Sequence, residues 1–304
     1  MAATGGTKAI LAALAANAGI AVAKFVGFVI TGSSSMLAES VHSVADTSNQ
    51  GLLLLGQKTA KRKATSEHPF GYGRDRYFYS FIVALLLFTL GSAFALYEGV
   101  HKVQHPEELS SPLVAVVILV LAIALESYSF ATAVKESKAI KGNRSWWGFV
   151  RQSKTPELPV VLLEDAGALF GLVFALIGVG LAVVTGDPVW DGVGTLMIGV
   201  LLGIIAITLI IEMKSLLIGE GSGEKELDTI VGELTAGEVE RVIHIRTQYI
   251  GPDELLIAAK LAMRRGMALT EVAAAIDDAE RRVREAVPTA RLIYLEPDLD
   301  RTPA

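Results

Sequence analysis

An all-α membrane bundle of six spanning helices, followed by a small cytoplasmic α+β domain, is the fold class this sequence predicts. Two observations carry it. Of 304 residues, 52% are hydrophobic and only 19% charged, which is too apolar for an ordinary soluble domain. Charge is also unevenly placed. Residues 1–213 hold fifteen basic and fifteen acidic side chains, whereas residues 214–304 hold twelve and seventeen. A neutral membrane part, residues 1–215, is therefore expected before an acidic water-soluble part, residues 216–304.

Six segments are long enough to span, given the roughly 20 residues a bilayer requires. They cover about 8–31, 35–57, 78–101, 112–134, 155–184 and 190–213. The turn Thr31-Gly-Ser-Ser-Ser35 joins the first two, and Thr185-Gly-Asp-Pro188 separates the last two. Thr155-Pro156-Glu157 reads as the start of the fifth, with Thr155 as N-cap. The N-terminal stretch lacks the basic region, short apolar core and cleavage site of a signal peptide, so the first span is expected to be retained. Gly167/Gly171 and Gly199/Gly203 have the four-residue spacing that permits close helix approach.

Basic residues set the expected orientation. Lys58, Lys61, Arg62, Lys63, Arg74 and Arg76 follow the second span, and Lys138, Lys141, Arg144, Arg151 and Lys154 follow the fourth. Both loops are expected to be cytoplasmic, and with six spans both termini are too. Past Gly221 the pattern changes to a helix over Glu224–Leu234, strands over Val239–Tyr249 and Leu255–Met263, a helix over Thr270–Ala286 and a strand over Arg291–Leu295. That order, α-β-β-α-β, predicts a ferredoxin-like sandwich with helices on one sheet face.

Cysteine is absent. Disulfides, thiolate metal sites and thiol nucleophiles are thereby excluded, and no basic excess points to nucleic acid. Chemistry must come from His, Asp and Glu. On the second span Ser35, Glu39, His42, Asp46 and Asn49 fall near one helical stripe. His42 and Asp46, four apart, share a helix face. An ionisable pair inside hydrocarbon is costly enough to imply a functional site, and imidazole with carboxylate suits Zn²⁺ and similar divalent metals. The fifth span supplies Glu164 and Asp165, about 15 Å from its start. Adjacent helical residues point about 100° apart, so Asp165 is the first choice of ligand, with Glu164 completing the shell, accepting a proton or pairing structurally.

Other acids have plainer readings. Glu98, Asp191 and Glu212 lie near span ends, where the aqueous interface accounts for them. Glu126 is deeper, beside Ser127, Tyr128 and Ser129; it either lines a cavity or pairs with Lys24. In the first cytoplasmic loop, Glu67 and His68 form a ligand pair beside a Gly-rich turn, either a metal entry point or a braced loop. His101 and His105 read as solvated.

Thr31-Gly-Ser-Ser-Ser-Met36, Ala38-Glu-Ser-Val-His42-Ser-Val-Ala-Asp46, His68-Pro-Phe-Gly-Tyr-Gly73 and Asp165 together resemble the cation diffusion facilitator family of divalent-metal/proton antiporters. The resemblance covers nearly the whole chain. It implies a tetrahedral metal site in which His42 and Asp46 match the second-span ligands and Asp165 the fifth-span aspartate. The family's fifth-span pattern is His-x-x-x-Asp; here Val161 holds the His place and Glu164 is the local substitute. One His among carboxylates suits Fe²⁺, Mn²⁺ or Co²⁺ as well as Zn²⁺. Tyr72 stands where many relatives have a loop His. The C-terminal domain has only His244, with Glu296 and Asp298 near its end, so dimer contact is its expected role.

The expected activity is Zn²⁺/H⁺ antiport by alternating access in a bacterial inner (plasma) membrane, by a homodimer in lipid, with no bound cofactor and no nucleic acid. Fe²⁺, Mn²⁺ or Co²⁺ efflux by the same mechanism stays open, as does a cation channel without proton coupling. An enzyme is not expected: the chain lacks a His-Glu-x-x-His pair and a Ser or Cys nucleophile motif. A non-transporting metal sensor would need a signalling partner.

Overall fold

Residues 18–108 and 111–299 are described by the computed structural model of this protein. Two compact units divide the chain: residues up to 57 with 78–214, and residues 58–77 with 215 onward. The first unit is helical. Its helices are α1 (Ala18–Thr31), α2 (Ser34–Ala60), α3 (Asp75–Gln104), α4 (Pro112–Lys141), the short α5 (Trp146–Gln152), α6 (Glu157–Thr185) and α7 (Val189–Ile218). Of these, α3, α4, α6 and α7 are long and apolar enough to cross a membrane. The chain is thus an integral membrane protein by length and composition of its helices. Residues 8–17 of the expected first span lie outside the described residues.

Small residues bring the helices together. A Cβ at Gly199 would come within 2.8 Å of Leu96 on α3, and one at Gly203 within 2.8 Å of Ser92 Oγ. Ser92 Oγ in turn donates to Gly199 O at 2.8 Å. Here α3 widens into a π-helical stretch, Leu87–Ala93, which the periodicity did not reveal. Such bulges recur at functional sites.

Several local expectations need correction. Thr155 does not cap α6: Pro156 already has helical dihedrals (φ −70°, ψ −29°), and no side-chain hydrogen bond caps that end. Helix α5 was missed, although its signal was present: Ser145 Oγ accepts from Gly148 N at 2.9 Å as an N-cap, and Phe149 is fully buried. Asp191 is not explained by an aqueous interface. Its side chain is fully buried and accepts from Ser33 Oγ (2.9 Å), Ser34 N (2.8 Å), Ser34 Oγ (3.1 Å) and, at closer range, Ser35 Oγ. The serine-rich turn is therefore the N-terminal cap of α2, closed by a carboxylate from α7.

In the second unit, α8 (Glu224–Thr235), β1 (Val239–Gly251), β2 (Glu254–Met263), α9 (Leu269–Ala286) and β3 (Ala290–Leu299) follow the expected α-β-β-α-β order. The sheet order is β1-β2-β3, with β1 and β2 antiparallel and β2 and β3 parallel. Alternation along β2 buries Leu255, Ile257, Ala259 and Leu261 against Ile230 and Leu234 of α8 and Ala279 and Val283 of α9. At the start of α9, Glu271 reaches back to accept from Ala268 N at 2.9 Å. The loop 58–77 packs into this unit. Gly73 lies so close to Ile250 O that a Cβ would approach it to 2.8 Å, and Arg76 pairs with Asp253 at 3.1 Å.

Candidate metal site

The polar stripe of α2 faces inward. Ser35, Glu39, His42, Asp46 and Asn49 are all buried, as a stripe one turn apart must be when its helix packs against neighbours along that face. His42 is fully buried, and both its ring nitrogens lack a hydrogen bond. Its Nδ1 approaches Asp46 Oδ1 to 3.4 Å, a distance without hydrogen-bond geometry, since neither atom counts as bonded.

Glu164 enters this pocket from α6. Asn49 Nδ2, three residues past Asp46 on α2, donates to Glu164 Oε1 at 2.8 Å. His42 with Asp46 on α2, and Glu164 beside Asn49, thus bring three of the expected ligands into one buried seam between α2 and α6. Asp165 is also buried but turns elsewhere, accepting from Ser129 Oγ of α4 at 3.0 Å. Among the described residues, no three His, Asp or Glu side chains converge tightly enough to hold a metal ion as arranged here.

Packing explains the direction of α6. Val161 joins an apolar cluster with Phe130, Ala133, Phe149 and Leu162, so the family's usual His place belongs to core here. On the π-helical stretch of α3, a Cβ at Gly91 would stand 3.9 Å from His42 Nδ1. That is ordinary contact distance, so α3 borders the imidazole here; the closer neighbour of Gly91 is Leu202 of α7, at 3.2 Å from such a Cβ.

Glu67 and His68 belong to the other compact unit and are exposed. The His68 ring meets Tyr72 edge-on with centroids 4.7 Å apart, and Arg62 lies over the Tyr72 ring at 4.4 Å. The loop is braced by aromatic packing. His101 and His105 are exposed, as expected. Lys24 pairs with Glu39 at 3.1 Å rather than with Glu126. Sequence reasoning missed the Lys24–Glu39 pair and the Asp191 cap. The Lys24 charge inside an apolar run was the signal for the first, and the three consecutive serines for the second.

Comparison with known proteins bears on this geometry. The family described as the cation efflux transmembrane domain matches residues 10–218. The proton-coupled zinc antiporter SLC30A9, mitochondrial, of Mus musculus is 32% identical over 240 residues, covering 78% of this chain and 42% of that protein. Metal tolerance protein C4 of Arabidopsis thaliana is 28% identical over 257 residues, 84% of this chain and 56% of its own length. Magnetosome protein MamB of Paramagnetospirillum magneticum is 26% identical over 271 residues, 88% and 85% of the two chains. The matched region spans less than half of the mouse antiporter.

Proposed function

This chain belongs to the cation diffusion facilitator family, a family of transporters rather than enzymes, and from that premise we propose that it exports a divalent metal, Zn²⁺, in exchange for protons. The observation that carries the reading is the burial of His42, Asp46 and Glu164, three ionisable side chains along the seam of α2 and α6, inside an apolar helical unit. Such residues mark ion pathways in membranes. His42 and Asp46 bind the cargo with Glu164, and Asp165 joins when it leaves Ser129. Metal binding requires these ligands deprotonated, so proton and metal compete for them. Rocking of helices around a fixed midplane site then gives alternating access. Glu67 and His68 would at most attract metal to the loop.

Six spans are part of the proposal. Helix α2 has 27 residues, about 40 Å at 1.5 Å per residue, and its buried polar stripe lowers its apolarity without shortening it. With α1 it completes six, which places the two basic loops and both termini in the cytoplasm. We read the C-terminal α-β-β-α-β unit as a ferredoxin-like domain that pairs two copies in a lipid-embedded homodimer. The membrane is proposed to be a bacterial inner membrane.

A second reading has its own support. Replacing the family His by Val161 leaves one imidazole among carboxylates, a donor set that also suits Fe²⁺, Mn²⁺ or Co²⁺. Flux of Zn²⁺, Mn²⁺ and Fe²⁺ into proteoliposomes, with and without a pH gradient, separates the cases. We expect gradient-driven metal flux in wild type and its loss in Asp46→Ala and Asp165→Ala, with both variants still inserted. Flux indifferent to protons would establish a channel, and undiminished flux in either variant would remove that residue from the site.

A further inference from the structure

We propose that Lys24 is a built-in counter-cation of the cargo site, an ammonium that weakens the hold on a dication and so speeds its release. The inference rests on the reading of His42, Asp46 and Glu164 as that site. Lys24 is fully buried on α1. Its Nζ donates to Ser43 Oγ at 2.8 Å and to Glu39 Oε2 at 3.1 Å. Ser43 adjoins His42 in sequence, and Glu39 lies three residues before it, less than one helical turn away. The positive charge is therefore tethered to α2 at the level of His42, by a carboxylate and a hydroxyl on either side of it in sequence.

Stability does not account for this pair. Two charges withdrawn from water lose solvation that their mutual attraction barely repays, and apolar substitutes of similar volume often do as well. Yet α6 is shaped to accommodate it. Glu39 Oε1 is buried without a partner, and a Cβ at Gly171 would come within 2.5 Å of it. Glycine at that point of α6, six residues past Asp165, keeps a place open for the carboxylate. Lys24 is thus held by Glu39 and Ser43 of α2, the helix that also carries His42 and Asp46.

The consequence is electrostatic. In a low-dielectric interior, a unit charge held on the same helix as the ligands changes the energy of a dication substantially. An ammonium there opposes loading, and Glu39 offsets part of that opposition. Removing the ammonium should tighten binding and slow release; removing the carboxylate should weaken binding. Removing both restores the balance.

The test combines Zn²⁺ titration calorimetry on the purified full chain with maximal flux in proteoliposomes, for Lys24→Gln, Glu39→Gln, the double variant and Asp46→Asn. We expect Lys24→Gln to bind Zn²⁺ at least about tenfold tighter with a lower maximal flux, and Glu39→Gln at least about tenfold more weakly. The double variant should return to within about threefold of wild type. Should Lys24→Gln fail to fold because Glu39 is left unpaired, Glu39→Gln and the double variant decide the matter. Wild-type affinity in Glu39→Gln, with binding lost in Asp46→Asn, overturns the counter-cation alone. Wild-type affinity in Asp46→Asn overturns the cargo site, and the counter-cation with it.

Discussion

Replacing Asp191 with alanine removes the acceptor at the centre of the α1–α2 turn, and the structure allows the cost to be worked out. Four donors reach this carboxylate. Two keep another partner after substitution: Ser34 Oγ has Thr195 Oγ1 at 3.0 Å, and Ser35 Oγ has the main-chain oxygen of residue 191 at 3.2 Å. The Ser34 backbone N–H and the Ser33 hydroxyl lose the carboxylate without such a substitute. Each buried donor left unsatisfied costs about 1–3 kcal/mol, so the pair costs about 2–6 kcal/mol. Total stabilities of about 5–15 kcal/mol make that a large fraction. At about 2–4 °C per kcal/mol for a domain of this size, Tm should fall by roughly 4–24 °C. Circular dichroism of the helical signal in detergent during heating measures this directly. A Tm within about 2 °C of wild type would refute the accounting, because it lies below the smallest shift that two orphaned donors produce.

Two further outcomes follow from the geometry. Gly171→Ala places a methyl group against Glu39 Oε1 and should impair transport and lower Tm, whereas Gly180→Ala on the same helix meets nothing within 4 Å and should be neutral or stabilising by up to about 1 kcal/mol; equal effects of the two would remove the argument for a fitted glycine. Tyr249 donates to both Glu226 oxygens at 2.9 and 2.8 Å, and burial together with that carboxylate raises its pKa above the ordinary tyrosine value. A phenol that keeps its proton longer in the folded state contributes stability in full below a pH of about 10 and loses it progressively above. Tyr249→Phe should therefore cost about 1–2 kcal/mol at neutral pH and decline less steeply under alkali in urea unfolding of the full chain; parallel pH curves would count against it.

The stripe on α2 was legible because helical periodicity alone places Glu39, His42, Asp46 and Asn49 together. The strands were legible because β1 and β2 alternate, and their bounds moved by only one or two residues. What the sequence did not disclose were contacts between distant segments. Nothing local tells Lys24 to choose Glu39 over Glu126, or Asp191 to reach the serines 156 to 158 residues away. The π-helical stretch of α3 escaped for a related reason. Its extra residue is accommodated by Gly91 and Ser92 against α7, and a hydrophobic run reads the same with or without the bulge.

The choice between Glu164 and Asp165 turns on which face of α6 meets α2. Val161 and Asp165, four apart, share one face. Val161 packs against the cluster that holds Ala133 of α4 and Phe149 of α5, and Asp165 accepts from Ser129 of α4. That face therefore belongs to α4. Glu164 and Gly171, seven apart, share the neighbouring face, and both meet α2: Glu164 through Asn49, Gly171 through Glu39. Replacing the family His by valine thus turns one stripe of α6 apolar and commits it to the helix core, so the acid one position earlier lines the seam with α2. In the proposed site, a dication held by His42 and Asp46 would have Glu164 on the facing side of α6. Asp165, about 100° around the helix, would join only by giving up Ser129, so the proposed order of ligand engagement follows from the packing of Val161.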